Sequence, residues 1–215
     1  MRITPINNFT KLFGITLAAG TIAAAPMLAS NNTTELPQDT VTLSAKTIPP
    51  EGTSDSLVLD AAPSPVVIVQ GKKRNAAIVV DLSKNVLYKY DEEGQPEAAY
   101  LIASGKKRTP TDPGLRVVIR VEKYPYKSAP AATKRHQKPW DYGPRAIILE
   151  TLDPKTGKQG STGEFIHGNN NPASIGKYAS LGCMRMDNEV IKKLAAQVKK
   201  GDLVLITKEG GVVKF

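Results

Sequence analysis

Between Asn75 and Thr207 short apolar and β-branched runs follow one another, broken by turn signals, and a single segment has helical period. The runs "NAAIVVDL" and "NVLYKYD", joined by "SKN", predict a β-hairpin. "DEEGQP" turns the chain into a third strand, "EAAYLIAS". "LRVVIRVEKY" is a fourth, with Val117, Ile119 and Val121 alternating onto one face. "PRAIILET", a short "TGEFIHG" and a final "DLVLITK" complete the strands. The helix is "NEVIKKLAAQVKK", with Val190, Ile191, Leu194, Ala195 and Val198 on one stripe. Asp187 or Asn188 can cap its start, and Gly201 follows its end. Many short strands with one late helix predict a mostly-β, sandwich-like or barrel-like domain with one main C-terminal helix.

Upstream the chain changes character. Arg2 and Lys11 are the only charges before Glu35, and residues 12–29 are apolar or small. That order predicts a secretory signal over residues 1–29 rather than a membrane span. Residues 30–66, rich in Asn, Thr, Ser and Pro, read as a flexible linker, and residues 67–215 as the folded domain. The expected location is outside the cytoplasm, in a periplasm or cell wall.

Charge is concentrated. Residues 105–145 carry eleven Lys and Arg against three acidic residues, in a chain of net charge +9. A basic face outside the cytoplasm suits an anionic partner such as a wall polymer, a membrane surface or a carboxylate-bearing substrate. Export and the absence of aromatic-interleaved basic motifs argue against nucleic acid. The segment "PYKSAPAATKRHQKPWDYG", between the fourth and fifth strands, is long and aperiodic, as lids and binding loops are. It holds Trp140 and Tyr142 beside the basic residues Lys134, Arg135 and Lys138.

The chain has one cysteine, Cys183, and two histidines, one of which, His167, lies sixteen residues before it. An odd cysteine in an exported chain is a buried hydrophobe, an intermolecular link or a reactive thiol. A reactive thiol needs help in losing its proton, and an imidazole supplies it. His167 stands at a predicted strand end, and Gly168 lets the chain turn there. Cys183 precedes the helix, whose unpaired N–H groups would favour a thiolate and, beside Gly182, receive a developing oxyanion. Arg185 can hold a carboxylate or brace the loop, and Ser180 can bond the loop backbone or the imidazole. The three asparagines after Gly168 suit a tight turn and carry no assigned chemistry. One Cys and two His without metal-ligand spacing predict no metal site, and no cofactor is indicated.

"HGNNNPASIGKYASLGCMRM" closely resembles the active-site signature of the L,D-transpeptidase catalytic domain of bacterial cell walls. His167–Gly168, Ile175–Gly176 and the order Ser180, Gly182, Cys183, Met184, Arg185 match that signature. "TPTDPGL" is similar to the family's Thr-Pro-x-Gly turn, and "IVVDLSKNVLYKYDEEGQ" to its opening hairpin. Two positions depart: Leu181 stands where many members have a second histidine, and Leu115–Arg116 where an aromatic often follows the turn. The resemblance implies the L,D-transpeptidase fold, with the main helix after the catalytic cysteine.

It also implies a reaction. Cys183 would attack the L-to-D bond after the third residue of a tetrapeptide stem, usually a diamino acid, release D-alanine and form a thioester. His167 would be base and then acid, its ring oriented by the Gly168 carbonyl. The amine of a second stem, or of a wall-anchored protein, would take the acyl group. Gly182, Arg185 and Ser180 would shape the oxyanion and substrate sites, and the loop of Trp140 and Tyr142 would lie over the cleft. Carbapenem-type β-lactams would acylate the thiol. Water as acceptor makes the same site an L,D-carboxypeptidase, and attack on existing cross-links a hydrolase or amidase. A non-catalytic wall-binding module and a protein linked through an intermolecular Cys183 disulfide are the alternatives from other classes.

Overall fold

The computed structural model describes residues 48–124 and 139–208. Twelve strands and two α-helices lie in this region, and the mostly-β expectation holds. The predicted opening hairpin is β3 (Ile78–Asp81) and β4 (Val86–Tyr90), antiparallel, with Asn85 at φ +54° in the turn. Next come β5 (Pro96–Leu101), the short β6 (Ser104–Gly105) and the ten-residue β7 (Gly114–Lys123). Then follow β8 (Arg145–Leu152), β9 (Gln159–His167), the short β10 (Tyr178–Ser180) and β11 (Met184–Arg185). The main helix α2 (Asn188–Gln197) leads into β12 (Leu203–Thr207).

The large sheet has the order β11-β9-β8-β7-β12-β3-β4-β5. The last strand in sequence therefore sits in the middle, parallel to β3 and antiparallel to β7. Its five residues are all buried, as a central strand covered on both faces requires. The sheet curls until its ends meet. Ala103, just past β5, exchanges backbone hydrogen bonds of 2.8 Å with Arg185 of β11 at the other edge. β6 and β10 pair in parallel beside that seam. This closure realises the barrel-like expectation and limits exposed sheet edge.

Each face carries a core. On one, α2 lays Val190, Ile191, Leu194 and Ala195 against Ile147, Leu149, Ile166 and Met184. Full burial of each such side chain contributes about 1.5–3 kcal/mol. The other gathers Val79, Tyr88, Leu115, Val117 and Leu205. Asp187 Oδ1 accepts from the Glu189 and Val190 N–H groups at 2.8 and 3.2 Å, which makes it the N-cap. The helix stops earlier than its pattern suggests: Val198 is extended (φ −105°, ψ 137°), turning its apolar side chain into the core as the chain leaves the helix. Gly201 therefore lies in the following turn instead of capping the helix.

The linker expected over residues 30–66 is corrected where it falls within the described region. Ile48 is buried, Thr53 exchanges 2.9 Å backbone bonds with Ala99, and α1 (Ser56–Asp60) buries Val58 in the second core. A further hairpin, β1 (Val66–Val69) with β2 (Lys72–Asn75), crosses the predicted boundary. Polar and Pro-rich composition misled here, because a few apolar anchors suffice to dock a segment on an existing core. Residues 1–47 lie outside the described residues.

Candidate active site

β9 and β11 are parallel neighbours, with Met184 opposite Ile166 and Arg185 opposite His167. Met184 and Ile166 both point into the first core. Strand alternation then turns Cys183, Arg185, Phe165 and His167 to the other face. One strand spacing and two residues separate Cys183 from His167, about 8 Å between Cα atoms, within reach of a thiol and an imidazole aimed at each other.

His167 is buried, and its Nδ1 lies 2.5 Å from the Gly168 carbonyl. A carbonyl only accepts, so Nδ1 carries the proton and Nε2 is the basic nitrogen. Gly168 is required for close approach and not for a turn: a Cβ there would sit 2.3 Å from Asn188 Oδ1 and 2.9 Å from Pro144 Cδ. The asparagines, given no chemistry in the sequence, hold this geometry. The Asn169 N–H donates to Asn188 Oδ1 (2.9 Å), and Asn188 Nδ2 returns a bond to the Asn169 carbonyl (3.0 Å). Asn169 Nδ2 donates to the Met186 carbonyl at 2.6 Å, and Asn170 Nδ2 to Asp141 at 2.6 Å. The signal was present as an unusual run of amides, but their partners are not adjacent in sequence.

Tyr142 ends a 3-10 turn (Pro139–Tyr142) and is buried. Its ring centroid lies 4.6 Å from that of His167 and 6.1 Å, edge-on, from that of Phe165. It packs on the imidazole. Trp140 belongs to the same turn by its backbone. Lys134, Arg135 and Lys138 lie outside the described residues.

The thiol loop is braced from within. Ser180 is buried; its hydroxyl donates to the Cys183 carbonyl (2.5 Å) and accepts from the Gly182 N–H (3.1 Å). Of its two roles left open by the sequence, the loop-bonding one is realised. Gly182 has φ +121°, a conformation costly for any residue with a Cβ. Its carbonyl accepts from Thr111 Oγ1 at 2.7 Å, and that oxygen accepts from the Gly105 N–H at 2.9 Å. The "TPT" turn is thereby tied to the loop. Leu181, where a histidine is common in the resembled family, is 37% exposed and faces outward.

Two expectations about activation change. Cys183 does not adjoin the helix N-terminus directly: Met184 and Arg185 of β11 and then Met186 lie between it and the N-cap Asp187. The helix N–H groups are moreover capped by Asp187. The Gly182 N–H, expected to face an oxyanion, is engaged by Ser180. Cys183 is half-buried, and its sulfur lies 3.8 Å from the Gly163 carbonyl. Burial pushes the thiol up to about 11; the Phe165 N–H opposes this, Glu164 adds to it and Arg185 opposes it. The resting sulfur is therefore protonated at neutral pH, and activation must come with proton removal by a neighbour.

Residues 75–206 match the family model of YkuD, the L,D-transpeptidase catalytic domain. The chain is 54% identical over 43 residues to a Bacillus subtilis (strain 168) protein provisionally named L,D-transpeptidase YkuD. That stretch is 20% of this chain and 26% of the relative, so it spans about a quarter of the relative's length. A second protein of the same organism, provisionally named L,D-transpeptidase YqjB, is 28% identical over 146 residues, 66% of this chain and 71% of the relative. Among solved structures, the catalytic domain from the Enterococcus faecium L,D-transpeptidase is 24% identical, with a TM-score of 0.41 over 62% of this chain and 98% of that one. The family match runs from the end of β2 through the histidine and thiol strands to central strand β12 and covers well over half of the chain, which therefore belongs to the YkuD family of L,D-transpeptidase catalytic domains.

Proposed function

We propose that the chain is an exported cysteine acyltransferase of peptidoglycan, an L,D-transpeptidase. The observation that carries this reading is the placement of Cys183 and His167 on one face of adjacent parallel strands, with His167 Nδ1 held by the Gly168 carbonyl. His167 Nε2 takes the thiol proton as Sγ attacks the carbonyl carbon of the third stem residue. A thiol that rests protonated makes this transfer obligatory. The Cys183 N–H, on a loop held by Ser180 and Thr111, takes the role of oxyanion donor that Gly182 cannot fill. The C–N bond to D-alanine then breaks, and its nitrogen leaves with the proton from His167. A thioester remains. The amine of a second stem attacks it, passes a proton to His167, and expels the sulfur, which is reprotonated.

Arg185 lies on the same face as Cys183 and favours the thiolate, which suits it to a carboxylate of the stem. The acceptor is a stem amine, with a wall-anchored protein as the related case. A strained β-lactam ring of the carbapenem type would acylate the same sulfur.

Muropeptides made by the purified protein from a disaccharide-tetrapeptide test this reading. Cross-linked dimer with released D-alanine is expected. Tripeptide without dimer, with acceptor in excess, would make the chain an L,D-carboxypeptidase instead. Formation of neither dimer nor tripeptide would overturn the assignment.

A further inference from the structure

β9 is irregular beside the thiol. Ser161 pairs with Glu150 and Phe165 with Ile148, so three residues, Thr162, Gly163 and Glu164, stand opposite Leu149 alone. Such bulges re-aim side chains at sites. Here the bulge receives the sulfur: the Gly163 carbonyl lies 3.8 Å from Sγ, and the Phe165 N–H is directed to it. Between these two contacts is Glu164, a buried carboxylate.

Glu164 is clamped from two strands away. Arg116, at the start of β7, places Nε 2.8 Å from Glu164 Oε2. Both side chains are nearly inaccessible, at 5% and 10% exposure. The rest of the guanidinium is satisfied too, with Nη2 donating to the Asp112 carbonyl (2.9 Å) and Nη1 to the Leu115 carbonyl (3.3 Å). The Asp112 N–H completes the group by reaching Glu164 Oε1 at 3.4 Å. Arg116 stands at one of the two positions where this chain departs from the resembled signature. Stability alone is a weak reason for such a pair, since well-packed apolar replacements of buried ion pairs are often neutral or better.

We propose that Arg116 is a positioning residue for Cys183: through Glu164 it fixes the β9 bulge around the sulfur and cancels a carboxylate charge that would otherwise oppose the thiolate. This rests on Cys183 being the nucleophile. Among the described residues, the ionisable groups acting on the sulfur are Glu164 on β9, Arg185 on β11 and, through Glu164, Arg116; His167 stands two residues beyond Phe165 on β9, with Tyr142 packed on its ring. Without Arg116, Glu164 would be a lone buried carboxylate. Its charge would then face the sulfur with no cation beside it.

The test is the rate of iodoacetamide alkylation of Cys183 in the full-length protein, followed by mass spectrometry from pH 7 to 11.5. Arg116→Met should slow the reaction about tenfold at each pH in this range, an upward displacement of the rate profile by about one pH unit. Glu164→Gln should displace the profile to lower pH, and Arg116→Met/Glu164→Gln should return it close to the wild-type profile. Arg116→Lys, which keeps the cation, should show little of the shift. If Arg116→Met fails to fold by circular dichroism, Glu164→Gln decides: a profile displaced to lower pH supports the role, an unmoved one overturns it. One common profile for all folded variants would make the pair merely structural. Alkylation is read whether or not the protein turns over a stem peptide. Absent turnover with these shifts intact would therefore count against the proposed function and not against Arg116.

Discussion

The Met186 N–H donates to the His167 carbonyl at 2.8 Å. The strand that follows the thiol is thus tied to the histidine residue itself. Any movement of β11 relative to β9 is resisted at His167 itself. Asn169 strengthens the same point, since its Nδ2 donates to the Met186 carbonyl.

Cys183→Ala should abolish acyl transfer while the fold survives. Removing one member of such a unit costs on the order of thousands-fold. The residue is half-buried and its sulfur makes no strong hydrogen bond, so the melting temperature should move by only a few degrees. Turnover of a tetrapeptide by the alanine variant at the wild-type rate would exclude the thiol as nucleophile.

His167→Ala should slow acylation and leave the sulfur without its proton acceptor. Because burial holds the thiol near 11, reactivity toward a small alkylating agent should climb about tenfold per pH unit through the neutral range. Wild type should exceed this through the neutral range, where a neutral His167 can take the thiol proton. Superimposable alkylation profiles for the two proteins would show that His167 does not activate Cys183.

Gly168→Ala introduces a methyl 2.3 Å from Asn188 Oδ1. Overpacking of this kind costs about 1–3 kcal/mol. The carbonyl that orients His167 should shift with it, so kcat should fall more than KM rises. Asn188→Ala, which deletes both bonds to the Asn169 backbone, should destabilise by about 1–3 kcal/mol by leaving buried groups unpaired. Thermal melts and steady-state kinetics on both variants separate the two effects. An Asn188→Ala protein as stable as wild type would remove the loop brace from this account.

Neutralising Lys134, Arg135 and Lys138 should lower dimer formation more than donor hydrolysis, because a stem acceptor bears carboxylates and water does not. The difference should shrink with added salt, which screens exposed charges beyond about 8 Å at physiological ionic strength. Dimer and tripeptide measured together by mass spectrometry give the ratio. An equal fall in both products would place these charges on the donor side.

Local physics made much of this protein legible in advance. β-branched runs and a single 3.6-residue period specified a mostly-β domain with one helix, because side-chain periodicity depends on nearest neighbours alone. The motif from His167 to Arg185 marked the candidate site through its resemblance to the family signature, which is legible because its members are close in sequence. What could not be read was whatever depends on partners brought from afar. The helix and the thiol look adjacent in sequence, yet β11 holds them apart. Gly182 looks like an oxyanion donor until Ser180 folds back onto its N–H. Tyr142 becomes a backing for His167 because β8 and β9 pair beside it, and Arg116 finds Glu164 only across β8. The thiol's high pKa belongs to this second group, since desolvation is a property of the packed site and no residue's neighbours in the chain encode it.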